Sequence, residues 1–158
     1  MNIAIPTDQF NINNVFFQEP IKNTIMPDSH FIRIIYSEEM CMINGICLEF
    51  TLPITNIDKS FNKFKCQFDK QLSNAIIQTI CKAETDIIMK CSSKIPYKIP
   101  IFRISEQLKN GVIKVINLAN NTSSGTNHKK FIIKISGIWS NELEYGLTYK
   151  FTQCGNSI

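Results

Sequence analysis

The chain has 158 residues and a formal net charge of +4; 44% of its residues are hydrophobic and 19% are charged, which excludes a disordered chain and favours one globular domain over residues 1–158. The pI of about 8.7 lies below the value of roughly 9 that marks strongly nucleic-acid-binding domains, so charge alone excludes no class of partner. The sequence has neither an apolar run of about 18 residues nor a leader pattern, so we expect no membrane association and a cytoplasmic location.

The N-terminal segment, residues 1–30, contains three prolines among polar residues. This pattern predicts an irregular arm with one short strand around Val15–Phe17. The next segment, FIRIIYS, alternates in the manner of a strand over residues 31–37. Arg33 on this strand is either a solvated charge or a phosphate contact, and the residues alone leave both alternatives open.

An Asn44-Gly45 dipeptide between two alternating segments is typical of a two-residue β-hairpin, because Asn-Gly supplies the positive φ of a type I′ turn. Pro53 is then expected to end the second strand. One apolar face of this hairpin is predicted to be buried, and it consists of Cys41, Ile43, Ile46, Leu48, Phe50 and Leu52.

The segment KFKCQFD predicts a half-buried strand over residues 63–69, with its lysines either in water or forming a basic stripe beside a groove. A helix is expected to follow, capped by Asp69 or Ser73 and ending near Lys90. Its apolar residues recur at spacings of three and four, which is typical of a helical face packed on a core: Leu72, Ile76, Ile80, Ala83 and Ile87.

Two prolines make residues 92–100 a connector. Residues 105–111 are predicted to form a helical turn or loop that stops at Gly111. A strand is expected over residues 112–118, and the polar residues 119–130 are expected to form a flexible loop that delivers two lysines to the next strand.

The segment over residues 131–152 predicts a hairpin, because two alternating strands flank a short polar turn. Gly137 interrupts the first strand, where we expect a bulge. Apolar and aromatic residues fall on one face of the strands and polar ones on the other, with Trp139 nearby. This pattern suits either a packed core or a surface that stacks bases and binds phosphates.

The six cysteines stand at 41, 47, 66, 81, 91 and 154 without a C-x-x-C pair or a nearby histidine, so we expect reduced thiols and no metal site. No catalytic motif pairs a nucleophile with a base. The sequence therefore predicts a protein that is not an enzyme and that carries no cofactor.

The order of the predicted elements indicates a mainly β fold, a β-barrel with one main helix, and specifically an OB-fold-like antiparallel barrel. Residues 31–52 would supply its first three strands, and the helix would lie between the third and fourth. The strand at residues 63–69 is an additional element that this arrangement does not explain.

The segments FIRIIYS, INGICLEF and SGIW…YGLTYKF resemble small proteins of cytoplasmic large DNA viruses and of yeast cytoplasmic linear DNA elements. The resemblance covers residues 14–52 and 101–152, and it implies an OB-fold single-stranded-DNA-binding protein. It further implies sequence-tolerant binding in replication or repair, in the host cytoplasm, at a viral replication site or in the virion. The chain ends FTQCGNSI, whereas many replicative single-strand binders end in an acidic tail, so partner recruitment would use another surface or the activity differs.

This activity needs a basic groove along the nucleic-acid backbone and aromatic side chains that stack on bases. The candidate phosphate contacts are Lys63, Lys65, Arg103, Lys129, Lys130, Lys134 and Lys150. The candidate stacking residues are Tyr36, Phe102, Trp139, Tyr145 and Tyr149. The expected partners are single-stranded DNA, with RNA left open, and replication proteins. The alternative function is a non-enzymatic structural or protein-interaction module, such as a virion component or a transcription accessory factor.

Overall fold

Residues 4–118 and 127–154, which the computed structural model describes, form eleven strands and two α-helices. The elements before the main helix are β1 (Ile5–Pro6), β2 (Val15–Phe17), β3 (Ile21–Lys22), β4 (His30–Glu38), β5 (Cys41–Asn44), β6 (Ile46–Ser60) and β7 (Lys63–Phe68). The remaining elements are α1 (Asn74–Cys91), β8 (Ile99–Ile101), α2 (Arg103–Lys109), β9 (Val112–Val115), β10 (His128–Ser140) and β11 (Glu144–Gln153).

Five of the strands form a closed barrel. Neighbouring strands follow the order β6, β7, β9, β11, β10, and β10 pairs with β6 again to complete the ring. Numbered along the chain, the barrel strands therefore run in the order 1-2-3-5-4, a Greek-key arrangement of the OB-fold type. The predicted fold class, a mainly β protein with an OB-fold-like barrel and one main helix, is confirmed.

The five strand pairings that close the barrel differ in the number of paired residues. β6 and β10 pair antiparallel over eight residues, from Pro53 opposite His128 to Ile46 opposite Ile135. β9 and β11 instead run parallel and share one pair, Val115 with Phe151. We call the β6–β10 contact the wall and the β9–β11 contact the seam.

The helices lie elsewhere in the topology than the sequence suggested. Both α1 and α2 connect the second and third barrel strands, β7 and β9, not the third and fourth. β4 is outside the ring, and the strand that looked additional, β7, is the second barrel strand. The error arose because Pro53 was expected to end this strand, whereas β6 continues through Pro53 to Ser60. Pro53 is tolerated because β6 exchanges its partner β10 for β7 at this residue.

The predicted Asn44-Gly45 hairpin is wrong: a type I′ turn needs a positive φ at both residues, and only Gly45 has one. Gly45 has a φ of +81°, but β5 pairs back onto β4, with Asn44 opposite Ile35. The Gly45 N–H donates to the Ile34 carbonyl of β4 at 2.8 Å, at the point where the chain passes from β5 to the barrel strand β6. The predicted burial holds for the β6 residues Ile46, Leu48, Phe50 and Leu52, whereas Cys41 is exposed and Ile43 is half-buried.

The C-terminal hairpin is confirmed, with β10 and β11 antiparallel from Phe131 opposite Gln153 to Ser140 opposite Tyr145. The register shifts between Ile135 and Gly137, as expected for a bulge at this glycine. Beyond the bulge, β10 leaves β6 and pairs with β4 instead. This exchange attaches the β4 layer to the barrel.

The main helix is confirmed, but its buried face is rotated from the predicted one near its start. Leu72 precedes α1 and is 74% exposed, and Ile76 is half-buried while Ile77 is buried. The Asp69 carboxylate accepts hydrogen bonds from the Gln71 and Leu72 N–H groups, and so stabilises a turn before the helix. The rest of the predicted face, Ile80, Ala83 and Ile87, packs in the core.

The N-terminal arm contains the predicted strand as β2, but it is less irregular than expected, because two further short strands, β1 and β3, pair with β6 and β4. The arm also lies against α1. The Lys90 ammonium donates to the carbonyls of Ile12, at 3.0 Å, and Val15, at 2.7 Å. Most of the loop predicted at residues 119–130 lies outside the described residues. Its last three residues belong to β10, so Lys129 and Lys130 are strand residues and not loop residues.

Candidate nucleic-acid interface

A groove of about 440 Å³ lies over the seam. α2 and β9 border one side of it, and β11 borders the other. Its cationic and aromatic lining residues are Lys63, Arg103, Lys114, Trp139, Tyr149, Lys150 and Phe151. The groove therefore combines the two side-chain classes that bind phosphates and stack on bases.

The groove exists because β11 lacks a continuous neighbour on this side. Residues 144–146 of β11 pair with β8, and Phe151 pairs with β9. Within the described part of the chain, residues 147–150 have no strand partner there. The helix α2 carries side chains into the resulting gap instead of backbone.

Trp139 and Arg103 form the first contact across the groove. The Arg103 guanidinium lies 4.9 Å from the centre of the Trp139 ring, which is a cation–π contact. The indole crosses β11 above Gly146, where a Cβ atom would come within 3.0 Å of the ring. A side chain at Gly146 would therefore displace the indole that forms this edge of the groove.

Tyr149 and Gln107 form the second contact. The Gln107 amide donates to the Tyr149 hydroxyl and accepts a long hydrogen bond, 3.4 Å, from the Lys114 N–H. The Tyr149 ring packs edge-on against Phe151, with 5.6 Å between ring centres. Burial, and then the Glu84 carboxylate, raises the pKa of Tyr149, against the opposing effects of the Gln107 hydrogen bond and Arg103. Its hydroxyl is therefore neutral at physiological pH.

Glu84 positions the helix that carries Arg103 and Gln107. This carboxylate is 1% exposed and accepts hydrogen bonds from the Ile104 N–H at 3.0 Å and the Ser105 N–H at 2.7 Å. The Ser105 hydroxyl donates to it at 2.5 Å. N–H groups in the first turn of a helix stabilise an anion, so α1 and α2 are joined through this side chain.

A row of four lysines crosses the outer surface of the barrel beside the groove. Lys65 lies opposite Lys114 on β7 and β9, and Lys134 lies opposite Lys150 on β10 and β11. Lys114 and Lys150 each precede the Val115–Phe151 pair in parallel strands, so the two halves of the row meet at the seam. We call this set the lysine row.

Like charges directly opposite one another destabilise a sheet. Among the described residues, none of the four lysines forms an ion pair, and Asp58, which lies opposite Lys65, is beyond ion-pair distance of it. The row is therefore a stripe of positive charge without an ion-pair partner among the described residues.

A second cavity, of about 570 Å³, continues the groove at the β6–β7 turn. Lys63 and Lys114 line both spaces. Phe61 forms its outer edge, 95% exposed. The sequence analysis missed Phe61 because it ended β6 at Pro53, although the alternation on both sides of Phe61-Asn62 is typical of a turn.

The structure brings five of the twelve candidate residues into the groove: Lys63, Arg103, Trp139, Tyr149 and Lys150. Lys65 and Lys134 flank it in the lysine row. Gln107 and Lys114, which were not among the candidates, also line the groove. Gln107 carried no signal in the sequence, but Lys114 alternates with buried residues in the same way as Lys65 and could have been selected.

The other candidates lie elsewhere. Phe102 is half-buried in a separate cavity beside Cys81 and Lys82, between α1 and α2. Lys129 and Lys130 lie at the start of β10, and the Lys130 ammonium pairs with Glu49 at 2.8 Å.

Tyr36 and Tyr145 are 3% and 2% exposed, so neither presents a stacking surface. Tyr36 stacks on Phe10 and accepts a hydrogen bond from the Asn11 N–H. Both tyrosines alternate with apolar residues that face the interior, and the same periodicity that marked their strands buries their rings.

Within residues 4–118 and 127–154, no group of three or more His, Cys, Asp or Glu side chains converges as metal ligands. The six cysteines are free thiols, and burial raises the pKa of Cys66 and Cys91 to about 11. No helix of the described chain is long and apolar enough to cross a membrane.

Comparison with protein-family models, with curated proteins and with solved structures finds no match to this chain.

Proposed function

We propose that this protein binds single-stranded DNA without strong sequence preference. The observation that carries the proposal is the continuity of the lysine row with a groove that contains Trp139 and Tyr149. Phosphates of a bound strand neutralise the repulsion between the lysines, and bases stack on the aromatic side chains. The resemblance of the strand segments to small proteins of cytoplasmic large DNA viruses and yeast cytoplasmic linear DNA elements supports a role in replication or repair of a virus or virus-like element.

The Arg103–Trp139 contact suggests how a strand enters the groove. Arg103 covers the indole in the free protein, at 4.9 Å. A base that takes its place stacks on the indole, and the released guanidinium binds a neighbouring phosphate. Binding thus exchanges one cation–π contact for a stacked base and a charge-assisted hydrogen bond.

Trp139 is the one tryptophan of the chain, so its fluorescence reports on the groove directly. We expect oligo(dT) to quench this fluorescence at low salt, and Lys150→Ala to weaken the titration. Lys82→Ala is the matched control, because Lys82 pairs with Asp86 on α1, away from the groove. Folded protein that neither binds oligo(dT) nor shows quenching contradicts the proposal, and a parallel titration with oligo(U) measures the preference between DNA and RNA.

One observation favours the alternative function, a protein-interaction module. β2, β4 and β5 form a ribbon outside the barrel, and one of its faces carries Phe16, 53% exposed, and Met42, 70% exposed. Apolar side chains grouped on an exposed sheet face are typical of protein contacts. This function becomes the leading one if oligonucleotides fail to bind.

A further inference from the structure

Among the described residues, three that are not glycine adopt a positive φ: Asp28 at 60°, Phe61 at 51° and Tyr97 at 68°. Aspartate is one of the residues that tolerate the left-handed region, whereas a bulky aromatic residue there is an outlier. Such strain persists where surrounding structure imposes it, and it concentrates at ligand-binding sites.

Both strained aromatic residues also lie in solvent. Phe61 is 95% exposed and Tyr97 is 103% exposed. Glycine or asparagine would suit both backbone conformations better, and neither ring contributes to the core. Folding alone therefore accounts for neither residue.

Phe61 lies at one end of the groove. It is in the turn between β6 and β7, at the edge of the cavity lined by Lys63, Lys65 and Lys114. Lys63 and Lys114 also line the groove over the seam. A nucleic-acid strand that leaves the groove past Lys114 therefore arrives at Phe61.

Tyr97 lies near the start of β11, the strand whose residues 147–151 line the groove. The Ile99 N–H, two residues later, donates to the Leu143 carbonyl at 2.9 Å, and the Lys98 ammonium donates to the Asn141 carbonyl at 2.5 Å. Tyr97 is thus beside the turn that precedes β11. The eight residue steps from Leu143 to Phe151 span about 25 Å of extended strand.

We propose that Phe61 and Tyr97 are terminal stacking residues of one nucleic-acid path that crosses the groove from end to end. This inference rests on the proposed function, and it adds the length and the limits of the site. Single-strand sites on OB-folds extend over about 4 to 16 nucleotides, so a short oligonucleotide fills the central groove while a longer one reaches both rings.

The test compares oligo(dT) of about 4 and about 15 nucleotides on the full chain, by fluorescence anisotropy of the labelled oligonucleotide. Phe61→Asn and Tyr97→Asn should each weaken binding of the long oligonucleotide by about fivefold or more, and leave the short one unchanged. Neither should lower the urea midpoint of unfolding, because asparagine relieves the backbone strain. Met40→Asn, at a residue 96% exposed in the β4–β5 turn, should change neither affinity.

Phe61→Leu and Tyr97→Leu give the same measurement if an asparagine variant fails to fold, because they keep an apolar side chain without an aromatic face. Equal affinity of the variants and the original protein for the long oligonucleotide overturns the inference, while quenching of Trp139 by the short oligonucleotide would still support the proposed function. If neither length binds, the proposed function and the inference both fail.

Discussion

The wall and the seam of the barrel differ in how they are held together. Eight residue pairs join β6 to β10 at the wall, and one pair joins β9 to β11 at the seam. Buried side chains such as Leu48 and Ile133 lie directly opposite one another in the wall. At the seam, the polar side chains of α2 occupy the space between the strands. The continuous pairing at the wall therefore allows the barrel to keep a gap at the seam, where polar side chains replace strand pairing.

A buried substitution in the wall should lower the free energy of unfolding far more than an exposed substitution at the seam. Leu48→Ala in the wall should lower the free energy of unfolding by about 2–5 kcal/mol, because it leaves a cavity at a fully buried site. Thr148→Ala, at an exposed position beside the seam, should change it by no more than about 0.5 kcal/mol. Urea denaturation measures both, and equal losses would show that the seam carries as much stability as the wall.

Glu84 joins the stability of the helices to the geometry of the seam. Glu84→Ala should lower the free energy of unfolding by roughly 2–3 kcal/mol, because it leaves the buried N–H groups of Ile104 and Ser105 without an acceptor. It should also loosen Arg103 from Trp139, which changes the tryptophan emission. Glu84→Gln keeps an acceptor oxygen and should have the smaller effect on both quantities. Unchanged tryptophan emission in a destabilised Glu84→Ala variant would show that Glu84 does not position Arg103 against Trp139.

Base stacking on Trp139 at the seam should contribute to oligonucleotide affinity but not to the stability of the barrel. Trp139→Leu should weaken oligo(dT) binding by about 1–3 kcal/mol at every salt concentration, since stacking does not depend on counterion release. Fluorescence anisotropy of a labelled oligonucleotide measures the change without the tryptophan. Phe16→Leu, outside the groove, is the control and should bind as the original protein does. A Trp139→Leu variant that loses affinity only at low salt would indicate a charge effect and not stacking.

The smallest expected effect has the opposite sign. Lys114→Gln removes one member of the lysine row and should raise the free energy of unfolding slightly, by about 0.5 kcal/mol or less, because it relieves repulsion at an exposed site. Lys130→Gln removes an ion pair with Glu49 and should not stabilise the fold. Thermal unfolding at low salt compares the two. A destabilised Lys114→Gln variant would mean that the lysine row is already compensated within the protein.

The sequence predicted elements whose signal is local. Alternation identified β4, β7 and the β10–β11 hairpin, and spacings of three and four identified α1. The path of β6 could not be predicted, because β6 pairs up to Pro53 with β10, which lies far along the chain, and only beyond Pro53 with β7. Local turn chemistry set the φ of Gly45 correctly, while tertiary pairing selected which strands meet there.

Five of the twelve candidate residues converge in the groove, because strand register decides which outward-facing side chains become neighbours. The position of each lysine on an outward face was readable from alternation. Whether two lysines become neighbours depends on strand register, as for Lys65 and Lys114, which are 49 positions apart in the sequence and opposite one another in the sheet. Lys130 has the same local pattern, yet register places it within reach of Glu49.

If the lysine row binds the phosphates of a single strand, the affinity for oligo(dT) must fall as the salt concentration rises. Each phosphate contact on a single strand contributes about −0.7 to the slope of log affinity against log salt. Lys114→Ala and Lys150→Ala should each make the slope shallower by about this amount, and Lys82→Ala, on α1, should leave it unchanged. Slopes that are the same for all three variants and the original protein would contradict the claim.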